Sequence, residues 1–160
     1  MTSDPVLLIE ELPIDEAPTP ALLARGVCRA LDQLGYASLV EFPLANRRRA
    51  DILALGPGGD LIIVEIKTSV ADFRADQKWG QYRDFADRFY FAVPDTFPVA
   101  LIPEDCGLIV ADAFAASLIR DGTPNALAPG RRRALTLRFA LAAATRLRRY
   151  LDPQSGIFQS

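Results

Sequence analysis

Apolar residues recur at helical spacing early in the chain: Leu22, Leu23, Val27, Ala30, Leu31 and Leu34. Thr19 supplies a hydroxyl N-cap, Pro20 suits the first helical position and Gly35 suits the stop, so this stripe predicts a helix. The pattern then changes to short strand-like runs. Ala37 to Phe42 reads as a strand ended by Pro43, and Arg48 to Leu55 and Leu61 to Lys67 read as two more. Between these two lies Gly56-Pro57-Gly58-Gly59-Asp60, a strong turn signal. The third strand, Leu-Ile-Ile-Val-Glu-Ile-Lys, is apolar on both faces until its end, the mark of a central strand covered on both sides.

Further along, Ser69-Val70-Ala71-Asp72 resembles a capping box, and a helix to about Ala86 is predicted. Arg88 to Val93 is a strand ended by Pro94, and Gly107 to Ala111 is another short one. Asp112 can cap a short helix over 113–119, 121–130 reads as loop, and Arg132 to Leu151 is a long helix stopped before Pro153. The order α-β-β-β-α-β-β-α-α predicts an α/β fold, a mixed central sheet flanked by helices. A chain of 160 residues suits one domain. The expected organisation is an acidic, flexible arm over 1–18, a single domain over 19–152 and a tail over 153–160. The apolar patch Val6-Leu7-Leu8-Ile9 in the arm is expected to dock on the body, with docking on a partner as the alternative.

Composition narrows the chemistry. The chain has no histidine, which excludes histidine-based triads and histidine zinc sites. Cys28 and Cys106 show no metal spacing and are expected as free thiols in a reducing cytoplasm. No apolar run reaches membrane-spanning length. The net charge of −2 is a poor basis for coating DNA nonspecifically, but the charge is uneven. Arg47-Arg48-Arg49 and Arg131-Arg132-Arg133 are basic runs, and Arg146, Arg148 and Arg149 crowd the last helix.

Glu65 and Lys67 stand two apart on one strand and so share a face. With 56–60 as the loop, Leu55 faces Leu61, Leu53 faces Ile63 and Asp51 faces Glu65. Directly opposed residues have Cβ atoms roughly 5 Å apart. Two carboxylates at that range repel by roughly 3 kcal/mol at an effective dielectric near 20. Three answers are open: a shared proton, a cation between the acids, or direct neutralisation by Lys67 and Arg49. Magnesium suits these oxygen donors, and Lys67 beside it could act on an attacking water or steady the phosphate. Glu41, ending the first strand, is a third candidate ligand. Arg48, Arg49 and Lys78 are candidate phosphate contacts, and Trp79 is a candidate for base stacking, with core packing as its alternative role.

Asp51, the hairpin and Glu65-Ile66-Lys67 resemble the PD-(D/E)XK nuclease superfamily, with its restriction-endonuclease-like α-β-β-β-α-β core. Several strings, with Tyr82, are similar to the MmcB-like DNA-repair family over about 20–118. They are Arg48-Arg49-Ala50-Asp51-Ile52, Val64-Glu65-Ile66-Lys67-Thr68-Ser69, 72–79, 87–93 and 107–112. The resemblance implies a cytoplasmic bacterial protein that cleaves DNA in repair, with Asp51 and Glu65 as ligands of Mg2+ (or Mn2+) and Lys67 as the catalytic lysine. It implies DNA and other DNA-repair proteins as partners, and symmetric cutting of two strands would suit a homodimer. Two departures stand out. The first helix lacks the glutamate found in many superfamily members, its one acid being Asp32, and Ala50 replaces the motif proline. A catalytically inactive DNA-binding or adaptor module on the same fold is the alternative.

Overall fold

The computed structural model describes residues 18–154; most of the 1–18 arm, with its Val6–Ile9 patch, and residues 155–160 of the tail lie outside them. Helix α1, Pro20–Gln33, starts as predicted: Thr19 Oγ1 accepts from the Leu22 N–H at 3.2 Å. It ends at Gly35, whose φ of +83° is a left-handed conformation that a side chain would strain.

Six strands follow: β1 Ala37–Pro43, β2 Arg49–Leu55, β3 Leu61–Ile66, β4 Arg88–Val93, β5 Gly107–Ala111 and β6 Ala116–Arg120. They lie side by side in chain order. β1, β2 and β3 are antiparallel, β4 and β5 run parallel to β3, and β6 turns back antiparallel. This is the expected mixed sheet flanked by helices, and its first six regular elements keep the α-β-β-β-α-β order. The β2–β3 register is the predicted one, with Leu55 opposite Leu61 and Leu53 opposite Ile63.

Every residue of β3 is buried, because both faces of the sheet are covered. On one face Ile52, Val64, Ile66 and Ala92 pack under Leu23, Val27 and Leu31 of α1. Burying each such aliphatic side chain contributes about 1.5–3 kcal/mol. On the other face Leu53, Ile63, Phe89 and Phe91 meet Tyr82, Leu135 and Phe139.

Three expectations are corrected. The helix predicted from Ser69 to Ala86 breaks: α2 spans Val70–Ala75, and Trp79–Phe85 is a separate 3-10 segment. The Asp76 side chain accepts from the Lys78 N–H at 3.0 Å, which turns the chain out of the helix. The short helix expected over 113–119 is β6. Asp112 does cap, accepting from the N–H groups of Phe114 and Ala115, but it caps a turn between two strands. The last helix, α3, spans Pro129–Leu151, starting three residues before the predicted Arg132 because Pro129 occupies the first turn.

α3 is fixed to the sheet by arginines. Arg132 pairs with Asp87 and donates to the Gly59 carbonyl. Arg138 donates to the Pro43 carbonyl at 2.8 Å, and Arg146 to the carbonyls of Val40 and Glu41. These carbonyls belong to β1, an edge strand. Among the described residues no helix is long and apolar enough to cross a membrane.

Candidate functional site

Period-two alternation puts Leu61, Ile63, Glu65 and Lys67 on one face of β3, so the apolar run ends in two charged residues inside the protein. Glu65 is 4% exposed and Lys67 is 6% exposed, and they are the buried charged residues among those described. The main-chain ladder between β2 and β3 stops at Ile52 and Val64. Beyond it the two acids take over the pairing. Glu65 Oε1 accepts from the Asp51 N–H at 3.0 Å, and Asp51 Oδ2 accepts from the Ile66 N–H at 2.8 Å. Each carboxylate therefore anchors itself on the opposite strand, and the acids meet where the sheet opens.

Burial, together with the neighbouring Asp51 charge, pushes the Glu65 carboxyl up to about 8, against the N–H bond from Asp51 and the Lys67 charge. Burial also raises Asp51, against the Ile66 N–H bond, the Lys67 charge and a hydrogen bond from Glu65. Both shifts run in the direction that favours a protonated acid over a doubly charged pair when no cation is bound. Of the three answers open in the sequence, a shared proton is the one these shifts favour for the pair without a cation.

Lys67 and Arg49 are occupied elsewhere. The Lys67 ammonium pairs with Asp76 at 3.0 Å, with 7% and 18% of the side chains exposed. Burial of Asp76 opposes its charge, but the Lys67 bond, the Lys78 N–H and nearby cations outweigh that and hold it below the usual carboxylate range. Arg49 reaches Glu41 at 3.7 Å in a solvent-exposed pair. The β1–β2 register sets Glu41 across from Asp51, but Glu41 bends into a left-handed φ of 50° and its side chain stays in solvent. The structure thus brings Asp51, Glu65 and Lys67 together and leaves Glu41 outside. Among the described residues no group of three or more acids or cysteines is placed to hold a metal.

The surrounding elements complete the site. Ser69 Oγ accepts from the Asp72 N–H and caps α2, while Asp72 accepts from the Thr68 N–H rather than from Ser69, a variant of the predicted capping box that ties α2 to the end of β3. Tyr82 is buried and donates to the Arg49 carbonyl at 3.0 Å, pinning the start of β2. Arg48 Nε donates to Gln81 Oε1 at 3.0 Å beside the site. Lys78 is exposed. Trp79 stacks on Phe89 at 5.8 Å and meets Phe91 edge-on at 5.3 Å, with Arg83 over its ring; its ring is committed to packing. Asp76, the partner of Lys67, had no role readable from its spacing, since the break in the helix is what delivers it. Both cysteines are free thiols.

Fold and site together define the class: an α/β protein of nuclease-like architecture, with two acids and a lysine converging where its central strands part. The chain belongs to the MmcB-like family of DNA-repair proteins, whose model matches residues 14–154. It is also similar to the solved structure of a Silicibacter pomeroyi protein of unknown function. The two are 42% identical, with a TM-score of 0.83, over 91% of this chain and all of that one. No curated protein matches it.

Proposed function

We propose that the chain is a divalent-metal-dependent nuclease of PD-(D/E)XK type that hydrolyses DNA phosphodiester bonds in repair. One observation carries this reading: Asp51 and Glu65 lock onto each other's strands beside Lys67, with more negative charge than their buried setting tolerates. The family supports a place in DNA repair.

The donor set fits a hard cation. Both ligands would be carboxylate oxygens, each tied down by a main-chain N–H, and magnesium is commonly held by one or two carboxylates with waters and substrate phosphate. Such an ion, when bound, lowers the pKa of a water and neutralises charge on the phosphate. The chain's own residues do the rest. Glu65, deprotonated, would be one of the two ligands, since a carboxylate must lose its proton to bind a cation. Asp51 and Glu65 would hold the ion where the β2–β3 ladder stops. Lys67 supplies a fixed positive charge for the phosphate as it becomes more negative, and Asp76 keeps that ammonium in place. Arg48 stands ready to bind the neighbouring phosphate.

A second reading, a noncatalytic DNA-binding module, draws on the Lys67–Asp76 pair, which already satisfies the ammonium. One experiment separates the two. Manganese binding is measured by calorimetry for wild type and Asp51→Asn, and cleavage of a plasmid and of branched or tailed DNA is followed for wild type and Lys67→Ala. The nuclease reading expects manganese binding that Asp51→Asn abolishes and cleavage that Lys67→Ala removes. A folded wild type that binds DNA but neither binds manganese nor cuts any substrate overturns it.

A further inference from the structure

We propose that an unpaired DNA strand, continuing from the phosphate under attack, lies in the groove between the β1–β2 turn and the first half of α3. This rests on the nuclease reading and specifies its substrate: DNA with a single-stranded tail or gap.

The groove has a volume of about 750 Å³ and is lined by Ala45, Phe85, Ala134, Leu135, Arg131 and Arg138, with Asn46 at its rim. Its lining combines an apolar floor with two cations and contains no acid. Neither Arg131 nor Arg138 forms a salt bridge among the described residues. Both are nonetheless held in position. Arg131 donates to the Asp84 carbonyl at 2.8 Å and lies over the Phe85 ring at 5.0 Å. Arg138 donates to the Pro43 carbonyl and lies 6.0 Å over the Phe42 ring. Guanidinium groups fixed by neutral partners keep their full charge for an anion, and less freedom is lost when the anion arrives.

The groove connects to the site through residues already described. Asn46 Oδ1 accepts from the Arg48 N–H, and the Arg48 side chain bonds Gln81 beside the acids. Arg48 forms no salt bridge among the described residues, though its charge reaches Asp76, and it stands between the two groove arginines and the acids. Asn46 sits in the β1–β2 turn and Asp51 five residues on in β2, so at most roughly 16 Å of chain separates them, within reach of a few nucleotides along a strand.

Charge complementarity selects a polyanion, and the apolar floor selects among polyanions. A duplex presents phosphates and sugars on its outside and keeps its bases stacked within, so it leaves Ala134 and Phe85 uncovered. An unpaired strand offers both phosphates for the arginines and base faces for the floor and the guanidinium planes. The net charge of −2 fits this better than broad duplex coating, since cations are concentrated in one groove.

The test measures binding of fluorescent oligonucleotides to the full chain at pH 7 in EDTA, where the metal is withheld. Probes are a single strand, a duplex with a single-stranded tail and a blunt duplex. Variants are the double change Arg131→Ala with Arg138→Ala, and Ala134→Glu, which places an anion in the groove without removing any hydrogen bond. Manganese calorimetry on each variant reports whether the acid pair is intact. Losing two phosphate contacts to a single strand lowers the salt slope by about 1.4 and weakens binding about twentyfold near 0.1 M salt. The expected result is that loss for single-stranded and tailed probes in both variants, with the blunt duplex little changed and manganese binding retained. Unchanged affinity for the tailed probe, or equal loss on all three probes, overturns the groove assignment. A peptide-binding groove would give the first of these outcomes. Failure of the nuclease reading shows separately, as absent manganese binding and cleavage in wild type.

Discussion

Changing Glu65 to Gln should make the metal-free protein more stable, and more so as pH rises. In the folded protein burial and Asp51 lift this carboxyl from 4.5 to about 8. Between those values the folded state holds a proton that the unfolded chain has released. Stability from this group is therefore complete below pH 4.5 and is lost as pH climbs towards 8. At about 1.4 kcal/mol for each pH unit, the full span is worth about 5 kcal/mol. The loss belongs to the coupled pair rather than to Glu65 alone. Gln keeps the acceptor that Asp51 N–H uses and adds an amide that can donate to the Asp51 carboxylate, so the packing stays while the titration disappears. Urea unfolding in EDTA from pH 5 to 9 reads it out. Wild type should lose stability across the range and the variant should stay nearly flat, melting about 10 °C above wild type at pH 9. Added magnesium should raise the wild type at pH 8 and leave the variant nearly unmoved. Parallel pH curves for the two proteins would refute the account of a charge-frustrated pair.

Two further outcomes follow from packing. At Gly26 an added Cβ would sit 2.0 Å from the Asp112 carbonyl oxygen and 2.7 Å from that of Ala115, so Gly26→Ala should destabilise by about 1–3 kcal/mol or more; unfolding at wild-type denaturant concentration would contradict the close approach of α1 to the β5–β6 turn. Phe139, 6% exposed and 6.2 Å from the Phe42 ring, ties α3 to the sheet. Phe139→Ala should remove about 3–5 kcal/mol and speed proteolysis within α3, and a loss under about 1 kcal/mol would show that the arginine bonds alone hold the helix.

The acid pair was legible because its determinants are local. The apolar run of β3, the glycine-rich turn and the two-residue period together set the β2–β3 register, and register decides which side chains meet. What was not legible depends on distant partners. Asp112 offers the same hydrogen bonds to a helix start and to a tight turn, and pairing with β5 decides for the turn. The helix after Ser69 gives way at Asp76 because Lys67 and the Lys78 N–H claim its carboxylate, while Trp79 and Tyr82 are drawn onto Phe89. Glu41 stands across from Asp51 in the β1–β2 register, but its bent backbone and Arg49 take it into solvent. In sequence the Arg131–Arg133 run is one basic cluster with no member distinguished from the others. Its three members diverge in the structure: Arg132 clasps Asp87, Arg131 settles on Phe85, and Arg133 is exposed.

The guanidinium bonds from α3 to Val40, Glu41 and Pro43 also decide how copies of the protein can meet. A free rim of acceptors is a template on which a foreign strand can register and extend the array. Here the rim is already taken by side chains of the same molecule, and Pro43 offers no N–H of its own. A chain that lost its last twenty-odd residues would keep the hairpin acids but bare that rim together with the Phe42 ring, and would gain at β1 a route to fibrous stacking that the intact molecule closes on that edge.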